Sequence, residues 1–355
     1  MKALVLAGGT GSRLRPFTHT RAKQLLPIAN RPVVHYALQA IADAGIEDVG
    51  IVVGAHADDI RRAVGDGSAF GLRVTYLHQH RPLGLAHAVL IARDFLADDD
   101  FLLYLGDNYL EDGVSGFVRR ATAGRDAARL LLTQVPDPTA FGVAEVDDEG
   151  RVRRLEEKPE RPRSDLALVG VYAFTPVVHE AVRAIRPSAR GELEITHALQ
   201  WMIDHGLGVR SETTTGPWRD TGSVDDLLEV NRHVLDRMEG RVDGKVDPHS
   251  VLVGRVRIAE GAVVRGSRIV GPVVVGAGTV ISNSSIGPYT AIAEDCRVED
   301  SAIEFSVLLR GACVEGASRI EGSLIGREAV VATAPRPPQA HRLVIGDHSK
   351  VQLTS

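Results

Sequence analysis

Apolar runs and amphipathic stretches alternate over the first hundred residues of the chain. Short apolar runs predict strands at residues 3–7, 49–53, 73–77 and 101–105. Apolar residues at helical spacing predict helices between these strands, at 33–45, 58–64 and 85–96. This alternation favours an α/β fold with a mixed, mostly parallel, Rossmann-like sheet. Such sheets bind ligands beyond the carboxyl ends of their strands.

The pattern changes after residue 129. Shorter strands are predicted at 130–135, 142–146, 152–156 and 169–174, and helices at 195–205 and 225–238. The stretch 239–250 is rich in glycine and charge, which is typical of a linker. Beyond it, branched apolar residues recur every five or six positions, and residues 17 apart match, as Ile269 does with Ile286 and Ile303. This hexapeptide-type repeat predicts a parallel β-helix with branched side chains stacked inside.

These changes divide the chain into three predicted parts. An α/β domain is expected at 1–240, a β-helix domain at 241–340 and a tail at 341–355, with one possible strand at 343–346. Cys296 and Cys313 are also 17 apart, so we expect them to stack on neighbouring coils as buried small side chains. Two cysteines do not form a disulfide framework.

Composition narrows the class of protein. The 355 residues are 44% apolar and 25% charged, which is ordinary for a soluble globular protein. A formal net charge of −5 gives no basic footprint for nucleic acid. No segment approaches the roughly 20 apolar residues of a membrane span, and the first apolar run is too short for a signal peptide. We therefore expect a cytoplasmic enzyme that binds neither membrane nor nucleic acid.

The first predicted strand runs directly into a glycine-rich loop. Gly8, Gly9 and Gly11 allow backbone N–H groups to approach an anion, and the Arg13 guanidinium matches phosphate oxygens in pairs. The loop therefore predicts a polyphosphate site. A P-loop requires a lysine after its last glycine, and a dinucleotide fingerprint requires glycine where Leu14 stands. A plain tight turn is the simpler alternative.

Motifs further along the chain specify the site. The chain contains seven motifs in order: LAGGTGSRL at 6–14, KQLLP at 23–27, GLA at 84–86, GDN at 106–108, EEKP at 156–159, RGELEIT at 190–196 and WRDTG at 218–222. In these motifs the chain resembles the sugar-phosphate nucleotidyltransferases, and more narrowly the long-form glucose-1-phosphate thymidylyltransferases, which carry a left-handed β-helix. The resemblance implies attack of glucose 1-phosphate on the α-phosphorus of dTTP, giving dTDP-glucose and pyrophosphate, with Mg²⁺ required. It also implies a place in nucleotide-sugar biosynthesis, as the first step towards a deoxysugar, by analogy in antibiotic biosynthesis. Because the nucleophile is already an anionic phosphate oxygen, catalysis reduces to alignment and charge neutralisation.

The resemblance also implies roles for individual residues. The catalytic set is Arg13, Lys23, Asp107 and Lys158. Nucleotide binding is assigned to Leu6, Gly8, Gly9, Gly11, Arg13, Gln24, Gln79 and Gly84, with Gln24 and Gln79 reading the thymine edge. Sugar-phosphate binding is assigned to Gly142, Glu157, Lys158 and Tyr172. Mg²⁺ is assigned to Asp107 and Asp220, because carboxylates and phosphate oxygens are the hard ligands that it prefers.

The chain departs from short-form relatives near the predicted base site. It has His87–Ala88 where they commonly have Gln-Ala, and Leu83 where they have an aspartate. Three alternatives stay open: the same chemistry with UTP or another sugar phosphate, a bifunctional acetyltransferase, and a regulatory subunit. The glutamine after Lys23 argues against the first, and the lack of histidine between residues 251 and 335 argues against the second. The retained Arg13, Lys23 and Asp107 argue against the third. Stacked coils also favour a homo-oligomer.

Overall fold

A computed structural model of the chain describes residues 1–214, 216–333 and 348–351, which form two compact units. The first unit contains Met1–Thr10, Thr20–Leu25 and Val33–Asp220. The second contains Gly11–His19, Leu26–Pro32 and the described residues from Thr221 onward. The second unit begins again at Thr221, before residue 240, because the helix Val224–Leu235 packs within it. The strand predicted at 343–346 lies outside the described residues.

A nine-stranded mixed sheet forms the centre of the first unit. Its strands are β1 (Lys2–Ala7), β2 (Asp48–Val53), β3 (Arg73–His78), β4 (Phe101–Leu105), β6 (Ala128–Gln134), β7 (Gly142–Val146), β8 (Val152–Glu157), β9 (Leu166–Phe174) and β10 (Val209–Thr213); β5 (Asn108–Leu110) and β11 (Trp218–Asp220) form a separate pair. The main path runs β8-β7-β9-β4-β1-β2-β3, and β6 joins β9 to β10. Strands β4, β1, β2 and β3 are parallel, as predicted, and β9 runs antiparallel to β4.

Two apolar clusters of the first unit contain side chains from successive positions of β1. Ala3, Val5 and Ala7 belong to one cluster, and Leu4 and Leu6 belong to the other. The helices of this unit are α1 (Val33–Asp43), α2 (Ala57–Val64), α3 (Leu85–Ile91), α4 (Arg93–Leu96), α5 (Ser115–Ala123), α6 (Val178–Ala184) and α7 (Ile195–Asp204). The single helix predicted at 85–96 is two helices, and α5, α6 and β10 were not predicted. No helix in the described part of the chain is long and apolar enough to span a membrane.

Short parallel strands build three sheets in the second unit, as the hexapeptide repeat predicts. The six-, six- and five-stranded sheets are consistent with a left-handed β-helix. The first comprises Arg241–Val242, Val256–Ile258, Val273–Val275, Thr290–Ile292, Val307–Leu308 and Leu324–Ile325. The second comprises Lys245–Val246, Val263–Arg265, Val280–Ser282, Arg297–Glu299, Cys313–Glu315 and Val330–Ala332. The third comprises Val251–Val253, Arg268–Val270, Ser285–Ile286, Ala302–Glu304 and Ile320–Glu321.

The repeat register is regular except in one coil. Ile269 pairs with Ile286, and Ile286 pairs with Ile303, as the 17-residue spacing predicts. Cys313, however, pairs with Arg297, so the predicted stacking of Cys313 on Cys296 is wrong. The cause is a turn that is one residue shorter between Ile303 and Leu308, which changes the local repeat to 16. Both cysteines are free thiols, and Cys296 alone is fully buried.

The second unit also includes two segments from near the N-terminus. Leu14 lies in the short 3₁₀ helix Ser12–Leu14, and Leu26 lies next to the hairpin formed by Pro27–Ile28 and Arg31–Pro32. Both leucines are buried in a cluster with β-helix residues such as Val307. The helix α8 (Val224–Leu235) contributes Leu227, Leu228 and Leu235 to the same cluster. The apolar face of the β-helix therefore buries the N-terminal loops.

Hydrogen bonds fix the second of these segments. The backbone N–H of Ala29 donates to Oδ1 of Asn231 at 2.9 Å, and Nδ2 of Asn231 donates to the carbonyl oxygen of Tyr289 at 3.1 Å. Nδ2 of Asn30 donates to the carbonyl oxygen of Ile292 at 2.7 Å. Because Asn231 is fully buried, the two hydrogen bonds made by its side chain are shielded from water. The amides thus link the hairpin, α8 and a coil of the β-helix.

Candidate active site

Two charged side chains meet beyond the carboxyl ends of β1 and β4. These strands are adjacent and parallel, and the N–H of Gly106 donates to the carbonyl oxygen of Leu6 at 3.0 Å. Nζ of Lys23 forms a direct salt bridge with Oδ2 of Asp107. Both side chains are largely buried, which strengthens the pair. The structure therefore brings together Lys23 and Asp107, which lie 84 residues apart in the sequence.

Asp220 lies at the end of β11, beside the same segment. Strand β11 runs antiparallel to β5, and Asp220 is the register partner of Asn108. Asn108 directly follows Asp107, and its Nδ2 donates to the carbonyl oxygen of Val169. In the described part of the chain, no group of three or more His, Cys, Asp and Glu side chains is arranged to hold a metal ion.

Two buried glutamines flank the first two glycines of the loop. A Cβ atom built on Gly8 would lie 3.2 Å from Oε1 of Gln79, and one built on Gly9 would lie 4.0 Å from Nε2 of Gln24. Gln24 is 1% exposed, and its Oε1 has no hydrogen-bond partner in the protein. A buried amide oxygen without a protein partner is satisfied by a water or a ligand, so Gln24 has an acceptor that is not used within the protein.

The amide of Gln79 is held by the start of α3. Its Nε2 lies 3.3 Å from the carbonyl oxygen of Gly84 and 2.9 Å from Nδ1 of His87. Gly84 has a φ of 103°, and a Cβ atom at this position would lie 2.4 Å from the carbonyl oxygen of Leu193. Only glycine fits there. Burial lowers the pKa of His87, which favours the neutral imidazole.

A carboxylate lies at the junction of β7, β8 and α7. Glu157 is the register partner of Gly142, and Oγ1 of Thr196 donates to its Oε2 at 3.1 Å. Nη2 of Arg190 lies 3.4 Å from Oε1 of Glu157. Burial and then the charge of Glu194 raise the pKa of Glu157. A Cβ atom at Gly142 would lie 2.6 Å from Leu168 and 3.4 Å from Oε2 of Glu157, so glycine keeps space beside the carboxylate.

The other predicted sugar-site residues differ in exposure. Lys158 directly follows Glu157, is exposed, and has its N–H bonded to the carbonyl oxygen of Phe141 at 2.9 Å. Tyr172 is 2% exposed and stacks on Phe174 with ring centroids 5.8 Å apart. Burial and then the charge of Glu157 raise the pKa of Tyr172. The ring of Tyr172 is therefore part of the apolar core of the first unit.

Arg13 and Gly11 lie in the second unit. Gly11 has a φ of 61° and precedes the 3₁₀ helix Ser12–Leu14, in which Arg13 is exposed. The carbonyl oxygen of Gly11 accepts a hydrogen bond from Oγ1 of Thr18 at 2.7 Å. The glycine-rich loop therefore ends at Gly11, where the positive φ leads the chain into the short helix Ser12–Leu14.

A comparison with known protein families decides the class of this chain. The profile described as "Nucleotidyl transferase" matches residues 2–237. The chain belongs to the nucleotidyl transferase family. Members of this kind are enzymes that generally need a divalent metal ion.

Relatives of this nucleotidyl transferase match over its whole length. A glucose-1-phosphate thymidylyltransferase of Streptomyces griseus is 62% identical over 355 residues, which is 100% of both chains. One of Streptomyces antibioticus is 59% identical over 356 residues, again 100% of both chains. A solved structure from Bacillus anthracis, described as a glucose-1-phosphate thymidylyltransferase in complex with sucrose, has a TM-score of 0.63 and 35% identity and covers 68% of this chain and 98% of its own.

Three polar side chains of this nucleotidyl transferase were not assigned a role from the sequence. They are His87, Arg190 and Thr196, which contact Gln79 or Glu157. His87 had a signal, since it departs from the glutamine of short-form relatives. Arg190 and Thr196 lie within one of the seven motifs, but nothing in the sequence shows that they meet Glu157.

Proposed function

We propose that this nucleotidyl transferase transfers the thymidylyl group of dTTP to glucose 1-phosphate, giving dTDP-glucose and pyrophosphate. The observation that carries the proposal is the pair of buried glutamine amides, Gln24 and Gln79, beside consecutive glycines of the loop. An amide oxygen accepts and an amide nitrogen donates, so the two side chains together can meet both kinds of group on the edge of a base. The names of the full-length Streptomyces relatives support the same substrates.

The chemistry needs alignment more than proton transfer. A phosphate oxygen of glucose 1-phosphate forms a bond to the α-phosphorus of dTTP, and the bond from that phosphorus to the β-phosphate oxygen breaks. Pyrophosphate leaves with the electron pair. The cationic Nζ of Lys23 offsets negative charge on the phosphates. It is held by its salt bridge with Asp107 and lies 3.7 Å from the position of a Cβ atom built on Gly9. The role of Arg13 in holding the triphosphate is proposed from its place in the motif.

Magnesium is proposed as the divalent cation. The donor set fits, because Asp107 and Asp220 supply only hard carboxylate oxygens and substrate phosphates would complete the coordination. When bound, the cation lowers the cost of bringing two phosphates together. In the free protein the salt bridge with Lys23 holds the largely buried Asp107 carboxylate in place at the proposed metal site.

The sugar phosphate is proposed to bind near β8. The Glu157 carboxylate accepts from hydroxyl groups, with Gly142 leaving space for the ring, and Lys158 pairs with the phosphate. Tyr172 is proposed to line the same pocket. Leu6, Gly8, Gly9 and Gly11 contribute backbone, and Gly84 leaves room for the base. A homo-oligomeric state, a cytoplasmic location and the domain boundaries at 240 and 340 remain predictions.

The test is pyrophosphate release with glucose 1-phosphate, Mg²⁺ and each nucleoside triphosphate in turn. We expect dTTP to give the highest rate, and Asp107→Asn to lower that rate about 10²- to 10³-fold. Asp58→Asn, which changes an exposed carboxylate in α2, is the matched control and should retain the rate. A rate led by UTP would overturn the base assignment and leave the reaction class intact. No release from folded protein with any triphosphate would overturn the sugar phosphate assignment or the activity itself.

A further inference from the structure

The Gln79 amide has a fixed orientation because of its two neighbours. The carbonyl oxygen of Gly84 accepts hydrogen bonds and never donates them, so the atom facing it at 3.3 Å has to be the amide nitrogen. The same nitrogen lies 2.9 Å from Nδ1 of His87. Both amide hydrogens are thus taken, one by each acceptor. Oε1 is left facing the glycine loop at Gly8.

The state of His87 follows from this arrangement. Because the amide nitrogen donates, Nδ1 of His87 has to accept, which places the ring proton on Nε2 of a neutral imidazole. Burial acts in the same direction by lowering the pKa of His87. The ring of His87 lies in the first turn of α3. The loop before this helix is held by backbone hydrogen bonds, from the N–H of Leu193 to the carbonyl oxygen of Leu83 and from the N–H of Ala86 to the carbonyl oxygen of Leu193. His87 is thus held by the same backbone that fixes Gly84.

We infer that His87 is the positioning residue that makes Gln79 present only an acceptor to the base, so that the enzyme selects pyrimidines bearing an N3–H group. This inference rests on the proposed function. Thymine and uracil carry a hydrogen at N3, which donates to Oε1 of Gln79. Cytosine has a lone pair at N3, which would face Oε1 as a second acceptor. A site that leaves polar groups unpaired with the wrong substrate rejects it more strongly than shape alone does.

Two kinds of base discrimination are distinguishable at this site. An acceptor-only amide distinguishes thymine from cytosine but treats thymine and uracil alike, because both have N3–H. Removing the acceptor at position 87 frees one amide hydrogen and lets the broad, two-fold terminal torsion of Gln79 turn. The preference for dTTP over dCTP should then fall while the preference for dTTP over dUTP stays. Loss of folding or general damage would lower all three rates together.

The experiment measures kcat and KM of the full-length enzyme with dTTP, dUTP and dCTP. We expect His87→Leu to raise KM for dTTP and lower the dTTP-to-dCTP ratio of kcat/KM by about 3- to 10-fold, the effect of one net hydrogen bond. The dTTP-to-dUTP ratio and kcat should change little. His87→Asn, whose Oδ1 lies near the position of Nδ1, should restore the dTTP-to-dCTP ratio. His80→Leu, which removes an exposed histidine next to Gln79 in the sequence, should behave as wild type.

The outcomes separate the two hypotheses. A wild-type enzyme that does not prefer dTTP overturns the proposed function. A wild-type enzyme that prefers dTTP, with His87→Leu keeping the wild-type dTTP-to-dCTP ratio, overturns the role of His87 alone. Failure of His87→Asn to restore the ratio would do the same. If His87→Leu does not fold, His87→Ala takes its place, since alanine is the best helix former and leaves α3 intact.

Discussion

Replacing Leu14 by alanine is expected to loosen the loop that carries Arg13. Leu14 is 0% exposed and packs in a cluster with Leu227, Val307 and Leu309. Burying a leucine contributes about 1.5–3 kcal/mol, and the cavity left by truncation adds to the loss. The total cost should be about 2–5 kcal/mol of the free energy of unfolding.

The location of Leu14 determines which segment of the chain is destabilised by the substitution. It lies in a single 3₁₀ turn, held by bonds such as that from its own N–H to the carbonyl oxygen of Gly11 at 3.0 Å. The coils of the β-helix, in contrast, are bonded to neighbours along their length. Local opening should therefore concentrate in the turn and displace Arg13, its neighbour in sequence. We expect a higher KM for the nucleoside triphosphate.

A matched variant makes this prediction specific. Leu308→Ala removes the same atoms from a leucine that is also 0% exposed, but one that lies inside the β-helix cluster. Urea unfolding followed by circular dichroism should show comparable losses for both variants. Pyrophosphate release per folded molecule should fall only in Leu14→Ala. Equal activity of the two variants, at equal folded fraction, would refute the idea that the β-helix supports the loop.

Three further changes have definite expected results. Asp107→Asn should lower kcat about 10²- to 10³-fold, the usual cost of losing a charged contact to the transition state, and a smaller loss in the release assay would argue against metal ligation. Gly84→Ala should lower the melting temperature and the affinity for dTTP, because its Cβ would lie 2.4 Å from the carbonyl oxygen of Leu193 at a φ of 103°; an unchanged melting curve would contradict this. Glu157→Gln should raise KM for glucose 1-phosphate while leaving KM for dTTP unchanged. Because burial raises the pKa of Glu157 in the folded state, ionisation removes stability as pH rises through that pKa. The melting temperature of Glu157→Gln relative to wild type should therefore be higher at pH 8 than at pH 4, and the opposite order would refute the burial argument.

The sequence was most informative where structure depends on near neighbours. In the β-helix each coil touches only the next, so the match of Ile269 with Ile286 was enough to predict their pairing. The resemblance assigned both Lys23 and Asp107 to one site, and the salt bridge between them agrees with that assignment. The 17-residue spacing gave the wrong partner for Cys313, because one turn is a residue shorter. The sequences of the strands do not show which turn is shorter.

Other features depend on distant contacts that no local pattern encodes. Gln79 and His87 meet because the positive φ of Gly84 and the pairing of the adjacent loop with Leu193 set the start of α3. Helix α5 was missed because its buried residues, Phe117 and Val118, are adjacent and so give no helical spacing. The N-terminal segments of the second unit were missed because a boundary drawn along the sequence assigns contiguous stretches to each domain.

The discontinuous second unit limits how this gene could be shortened or recombined. No single cut separates the units, because Gly11–His19 and Leu26–Pro32 belong with the chain that begins at Thr221. A truncation that removes the coils would leave Leu14 and Leu26 without Val307 and Leu309, which cover them. The coils and the N-terminal loops therefore have to change together, and a chimera that exchanges the coils keeps its solubility only if it also exchanges these two loops.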